Sequence, residues 1–176
     1  YRKMAEMFTI AEQSNPYQLL EKPFQIGDTP IETIEEGIAA YREQEWVKIF
    51  NNAIKYYQKE KFSKAKETIE IAMLVYPKRE ENYSTLAFWH LEDNNMEMAL
   101  NIIDLGLQVD DKYSTLYQIK ADLSRQNNKL GFAKELYLKA IAHSDNQGPI
   151  KIKLLNTYIE LGENEIAIEF ADELLN

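Results

Sequence analysis

The sequence predicts an all-α solenoid of stacked helical hairpins, and three observations carry that prediction. Ala65, Ala99, Ala133 and Ala167 recur at a spacing of 34 residues. The same shift aligns Ala53, Ala87, Ala121 and Leu155, then Met73, Leu107, Ile141 and Leu175, then Ile69, Ile103, Tyr137 and Ala171. Within each unit the apolar residues fall at helical spacing in two blocks, while Gly and Pro are scarce, at 6 and 5, which argues against a turn-rich sandwich.

Taken in order, the elements begin with residues 1–13, where Met4, Met7, Phe8 and Ala11 share one helical face. Asn15 followed by Pro16 has the form of a helix start, Asn as the cap and Pro in the first turn, so a short helix is expected there, ended by Pro23. Thr29 and Pro30 repeat the signal before a one-sided helix in which Ile31, Ile34, Ile38 and Tyr41 form the stripe and Glu32, Glu35, Glu36 and Glu43 lie mostly off it. A repeat array needs an end piece with one apolar and one polar face. The expectation is therefore an N-terminal extension over 1–45, with a capping helix over about 29–45, and a solenoid over 46–176.

The solenoid divides into units 46–79, 80–113, 114–147 and 148–176. Polar punctuation at Gln58 to Lys61, Glu92 to Asn95, Gln126 to Lys129 and Leu161 to Asn164 splits each unit into two helices. Two helices approach closely only where the side chain between them is small, which assigns Ala53, Ala65, Ala87, Ala99, Ala121, Ala133 and Ala167 to repeat packing.

In this pattern the sequence resembles the tetratricopeptide-repeat family. The first unit matches at Ala53, Tyr56, Ala65, Ala72 and Pro77, and the second at Tyr83, Leu86, Ala87 and Ala99, with Gly106 at a small-residue slot. Tyr117, Ala121, Ala133, Tyr137 and Ala140 fit in the third, and Tyr158, Gly162 and Ala167 in the fourth. Asn52 and Lys120 depart from a preference for Leu, Asp111 and Asp145 from one for Pro, and Lys151 stands where a large apolar residue is expected. The resemblance covers three quarters of the chain, implies a right-handed superhelical array of antiparallel helix pairs, and implies a binding function without naming the partner.

In such an array the first helices line the concave side, where the family holds segments of other proteins. Stepping about 100° from the packed slots gives the exposed face. It reads Phe50, Ile54 and Tyr57, then Ser84, Phe88 and Leu91, then Gln118, Asp122 and Arg125, and finally Ile152, Asn156 and Ile159. Phe50, Ile54, Tyr57, Phe88, Leu91, Asp122 and Arg125 are the candidate partner-binding groove. Glu81, Glu92 and Glu160 lie near it and favour a basic partner, while the aromatic end favours an apolar one. The competing reading is that residues 1–28 fold back over the apolar end, since an open patch is a liability in a monomer. Repeat domains of this family that grip acidic C-terminal tails of heat-shock chaperones use a cluster of Lys, Asn and Arg. The matching positions here are Phe50, Ile54, Thr85, Thr115 and Ile119, none of them charged, so no such clamp is expected.

Composition excludes several other functions. A net charge of −9 supplies no basic stripe for nucleic acid, and the same acidity disfavours anionic membrane surfaces. No run approaches the ~18 apolar residues of a membrane span, so a soluble protein is expected, of unassigned compartment. Absence of Cys excludes disulfides, thiolate catalysis and cysteine-based zinc sites. The chain carries no glycine-rich phosphate loop, no G-x-S-x-G elbow and no H-E-x-x-H pair. His90 occupies the slot of Tyr56 and Tyr158 and reads as a packed side chain, and His143 lies at a helix end, where the dipole favours a cation. Asn82-Tyr83-Ser84 has the form of a glycosylation acceptor at the start of a helix. No catalytic residue, metal or cofactor is expected. The reading is an interaction scaffold or adaptor; the alternative is a regulatory or docking arm of a larger enzyme whose catalytic domain lies elsewhere. Tyr1 in place of Met and the uncovered apolar pair Leu174 and Leu175 are what a segment of a longer polypeptide would show, continued by further repeats or met by a partner subunit.

Overall fold

Helix α1 (Arg2–Ser14) is followed by strands β1 (Leu19–Ile26) and β2 (Thr29–Thr33), and then by helices α2 (Ile34–Gln58), α3 (Phe62–Val75), α4 (Glu80–Glu92), α5 (Met96–Val109), α6 (Ser114–Gln126), α7 (Leu130–Ala142), α8 (Gly148–Leu161) and α9 (Asn164–Leu175). The computed structural model describes residues 1–27 and 29–175, the last without its side chain, so the packing slot expected at Leu175 lies outside the described residues. The chain packs as two compact units, Tyr1–Asn82 and Tyr83–Asn176, with α4 carrying the boundary.

From α2 onward every element among the described residues is a helix, and the two helices of each hairpin are joined by two or three residues, in keeping with the 34-residue period. The turns repeat in the backbone itself. Glu60, Asn94, Asn128 and Gly162 each adopt positive φ, at 58°, 58°, 57° and 77°. In each turn the next amide reaches back to close the helix: Lys61 N to Tyr56 O, Asn95 N to His90 O, Lys129 N to Ser124 O and Glu163 N to Tyr158 O, at 2.8–3.0 Å. This six-to-one bond is the Schellman ending, which satisfies a carbonyl the helix would otherwise leave open.

In the first unit α2 and α3 form the hairpin. Ala53 and Ala65 are wholly buried, with Ile49, Ile69, Ala72 and Val75 around them. In the second unit Ala87, Ala99, Ala121 and Ala133 are wholly buried, and Ala167 nearly so. One continuous core there joins Ala121, Leu136, Tyr137, Ala140, Ile150, Leu154 and Tyr158. A side chain such as Leu154, fully removed from water, contributes about 1.5–3 kcal/mol. Lys120, a departure from the apolar preference, lies half-buried and pairs with Asp104.

The N-terminal extension differs from its sequence reading. The short helix expected after Asn15-Pro16 is strand β1, and Thr29 and Pro30, expected to open a helix, lie in β2. The strands pair antiparallel, Phe24 with Ile31 and Ile26 with Thr29, and the register slips between Leu19 and Phe24, where Pro23 cannot donate to a ladder. Gly27, at φ 60°, turns the hairpin. Asn-Pro and Thr-Pro signal a turn as well as a helix start, and only burial of Ile31 against the rest of the unit distinguishes them.

The helix start lies at Thr33. Its hydroxyl accepts from Glu36 N at 3.2 Å, and the Glu36 carboxylate accepts from Thr33 N at 3.0 Å and Glu32 N at 2.8 Å, a capping box. Those two backbone donors hold the Glu36 carboxyl below its usual range. From there α2 runs unbroken to Gln58, so the expected capping helix and the first helix of the first hairpin are one element. No Gly or Pro interrupts it beyond its first turn, and Ile38, Arg42, Trp46, Ile49 and Ala53 keep one buried face. Tyr41, assigned to the apolar stripe, is instead half-exposed, with its ring 6.5 Å from Phe24. On α1 the buried residue is Ala5, while Met7 points to solvent.

Candidate partner-binding surface

Within the first unit, Phe50, Ile54 and Tyr57 stand one turn apart on α2 and are all half-buried. The Phe50 ring lies 5.0 Å from Trp46 and borders the cluster of Trp46, Ile49, Ala72 and Val75. Tyr57 meets Phe62 edge-on, also at 5.0 Å. Helix α1 packs on this hairpin: Met4 joins the same cluster that Phe50 borders.

Within the second unit the face is more open. Phe88 is 53% exposed, Ile152 57% and Ile159 55%, while Leu91 is half-buried. Asp122 and Arg125 take part in a chain of polar contacts across α6, α7 and α8. Lys153 Nζ donates to Asp122 Oδ2 at 2.7 Å, and the Tyr137 hydroxyl donates to Asp122 Oδ1 at 2.6 Å. Arg125 grips Glu160 with two donors, Nε at 2.9 Å and Nη2. These side chains and Gln126 line a cavity of about 430 Å³. Burial, and then the bond to Asp122, push the Tyr137 hydroxyl well above its usual range. The hydrogen bond to Glu160 raises Arg125, and its reciprocal lowers Glu160, so both stay charged.

Sequence reasoning named Asp122 and Arg125 and placed Glu160 near the groove, but missed Tyr137 and Lys153 as their companions. The signal was present: Asp122–Lys153 and Arg125–Glu160 are separated by 31 and 35 residues, either side of one repeat length. Glu160, expected to attract a basic partner, is already paired within the chain. Glu81 likewise has Arg79 at 3.8 Å. Asn82 of the apparent glycosylation signal is wholly buried, accepting from Trp46 Nε1 at 2.8 Å and donating to Tyr76 O at 3.0 Å. His143 is exposed at the end of α7, stacked on Tyr117. Among the described residues no three His, Cys, Asp or Glu side chains are grouped to hold a metal ion, and no helix is long and apolar enough to cross a membrane.

No protein-family model and no curated protein matches the chain. Solved structures do. The chain is similar to the first tetratricopeptide-repeat domain of Spaghetti (RPAP3), solved bound to the HSP90 peptide SRMEEVD, at 17% identity and TM-score 0.56 over 68% of this chain and 94% of that one. It is similar to the Sgt2 repeat domain from Aspergillus fumigatus at 24% identity and TM-score 0.56, covering 69% of this chain and 82% of that one. It is similar also to PilF of Pseudomonas aeruginosa at 14% identity and TM-score 0.63, covering 76% of this chain but only 61% of that one. At these identities the likeness shows the fold, a tetratricopeptide-type array of helical hairpins, as the 34-residue period predicts.

Proposed function

We propose that this chain, built on the tetratricopeptide-repeat fold, is a non-catalytic scaffold that holds a peptide or helical segment of a partner protein against the first-helix faces of the hairpins in its second unit. The observation that carries the reading is the exposure of Phe88, Ile152 and Ile159 on first helices while the charges among them are paired within the chain. Large apolar side chains left in water beside a self-neutralised floor suit the apolar face of a partner, because covering them removes apolar area from water without stranding a lone charge. Likeness in fold to a domain solved with a bound peptide supports the same reading.

The partner chemistry that fits is apolar and close to neutral, with Phe88 and the two isoleucines as anchors and the Asp122–Arg125 network supplying orientation. A pull-down with the intact chain, repeated with Phe88→Ala and Ile152→Ala, tests this. Partners that use the face drop out of the doubly substituted sample at least tenfold while the helical circular-dichroism signal is unchanged. Retention of every partner by the folded double variant overturns the assignment.

A further inference from the structure

We propose that the α2–α3 surface beneath α1 is a binding site for an amphipathic helix of a partner protein, with α1 acting as the chain's own occupant of that site. The seat reads its occupant at three positions four residues apart. Met4 lies on the cluster of Trp46, Ile49, Ala72 and Val75. The Phe8 ring lies 5.2 Å beneath the Arg42 guanidinium. Glu12 accepts two bonds from Arg42, Nε to Oε1 at 3.1 Å and Nη2 to Oε2 at 3.0 Å.

Arg42 is what gives the seat its chemistry. It is only 5% exposed, and its third contact, Nη1 to Val75 O, ties it to the end of α3. A buried guanidinium needs a carboxylate, and Glu12 of α1 supplies it. Whatever replaces α1 must therefore bring an acid where Glu12 stands, an aromatic one turn earlier and an apolar side chain one turn before that.

The occupant fits loosely. Ala5 is the buried residue of α1, Met4 and Phe8 on its inner face are only half-buried, and no side chain caps its start. A cavity of about 670 Å³ opens between α1 and Leu74, and one of about 490 Å³ lies where Glu12 and Pro16 face Arg42 and Tyr76. A better-filling helix of the same pattern would displace α1, and Phe50, which borders the same cluster, would feel the exchange. The seat lies wholly within the first unit.

The probe is a labelled peptide of residues 1–15, titrated by fluorescence anisotropy into the full chain and into the full chain carrying Glu12→Lys, whose own α1 is released from Arg42. Binding to the Glu12→Lys chain is expected at least tenfold tighter than to the unchanged chain, and a peptide that itself carries Glu12→Lys loses that gain. Equal binding to both chains overturns the proposal. Hydrogen exchange on the unchanged chain gives a second reading that needs no substitution: amides of α1 should exchange at least tenfold faster than those of residues 38–53. If the two exchange together, α1 is a fixed part of the fold and the proposal fails, even if Glu12→Lys does not fold. A concentration-dependent dimer of the unchanged chain that trades α1 between copies would assign the seat to a second copy and overturn the partner reading.

Discussion

Asn82 shows how much can depend on one side chain. Its amide is wholly buried and joins two elements, accepting from the Trp46 indole and donating to the carbonyl of Tyr76, while Arg79 lies 4.6 Å over the same indole. Asn82→Ala leaves a buried donor and a buried acceptor without partners, each costing about 1–3 kcal/mol. Urea denaturation followed by tryptophan fluorescence should show a loss of at least about 1 kcal/mol; an unchanged midpoint would mean that water replaces the amide. Gly106 makes the opposite point, a place where nothing may be added. A Cβ there overlaps Leu116 Cδ1 and comes within 2.8 Å of Tyr83 Cγ. Helix propensity alone favours Gly106→Ala by about 1 kcal/mol, but overpacking a closed contact costs roughly 1–3 kcal/mol. The same titration should therefore find Gly106→Ala destabilised; stabilisation would show that Tyr83 has room to move. The Asn82 contact is not visible in the sequence, where the residue resembles a glycosylation acceptor, whereas Gly106 already stands at a small-residue slot of the repeat.

At the level of elements, the four hairpin turns adopt one geometry with four sequences. Gly162 meets positive φ without penalty, Asn94 and Asn128 tolerate it, and Glu60 does not. Glu60→Gly removes a left-handed strain of about 1–2 kcal/mol and adds an unfolded-state entropy cost of about 0.5–1 kcal/mol. The thermal midpoint of Glu60→Gly should rise by a few degrees, and Gly162→Glu should lower it by a similar amount; a fall for Glu60→Gly would place the strain elsewhere. These turns and the buried alanines were legible because one period governs them, so chance matches are averaged away over four copies. The extension was not legible, because it occurs once and its cues are ambiguous. Asn15-Pro16 and Thr29-Pro30 suit a helix start and a strand flank alike, and the choice rests on Ile31 finding a buried site. The candidate surface was legible in part for a related reason: Asp122 and Arg125 follow from the period, but Lys153 and Glu160 reach them only through the packing of successive hairpins.

For the molecule as a whole, charge separates this chain from a neighbour of similar fold. The fold is similar to that of a domain solved with the acidic peptide SRMEEVD, whereas this chain carries 29 acidic against 20 basic side chains. A carboxylate-gripping site needs cations that are free and aimed at one point. Thr85, Thr115 and Ile119 in the second unit are uncharged at positions where the family resemblance places such cations. The cations nearby are committed, Lys120 to Asp104, Arg125 to Glu160 and Lys153 to Asp122. An acidic peptide would have to break one of these pairs and approach against a net charge of −9, a repulsion that salt screens beyond about 8 Å but does not turn into attraction. Calorimetric titration of the chain with SRMEEVD at low salt should therefore show no binding tighter than about 1 mM, the equivalent of about −4 kcal/mol. Micromolar binding that weakens as salt rises would mean that Arg125 or Lys153 gives up its internal partner to an incoming carboxylate, and the neutral, apolar reading of the surface would have to be abandoned.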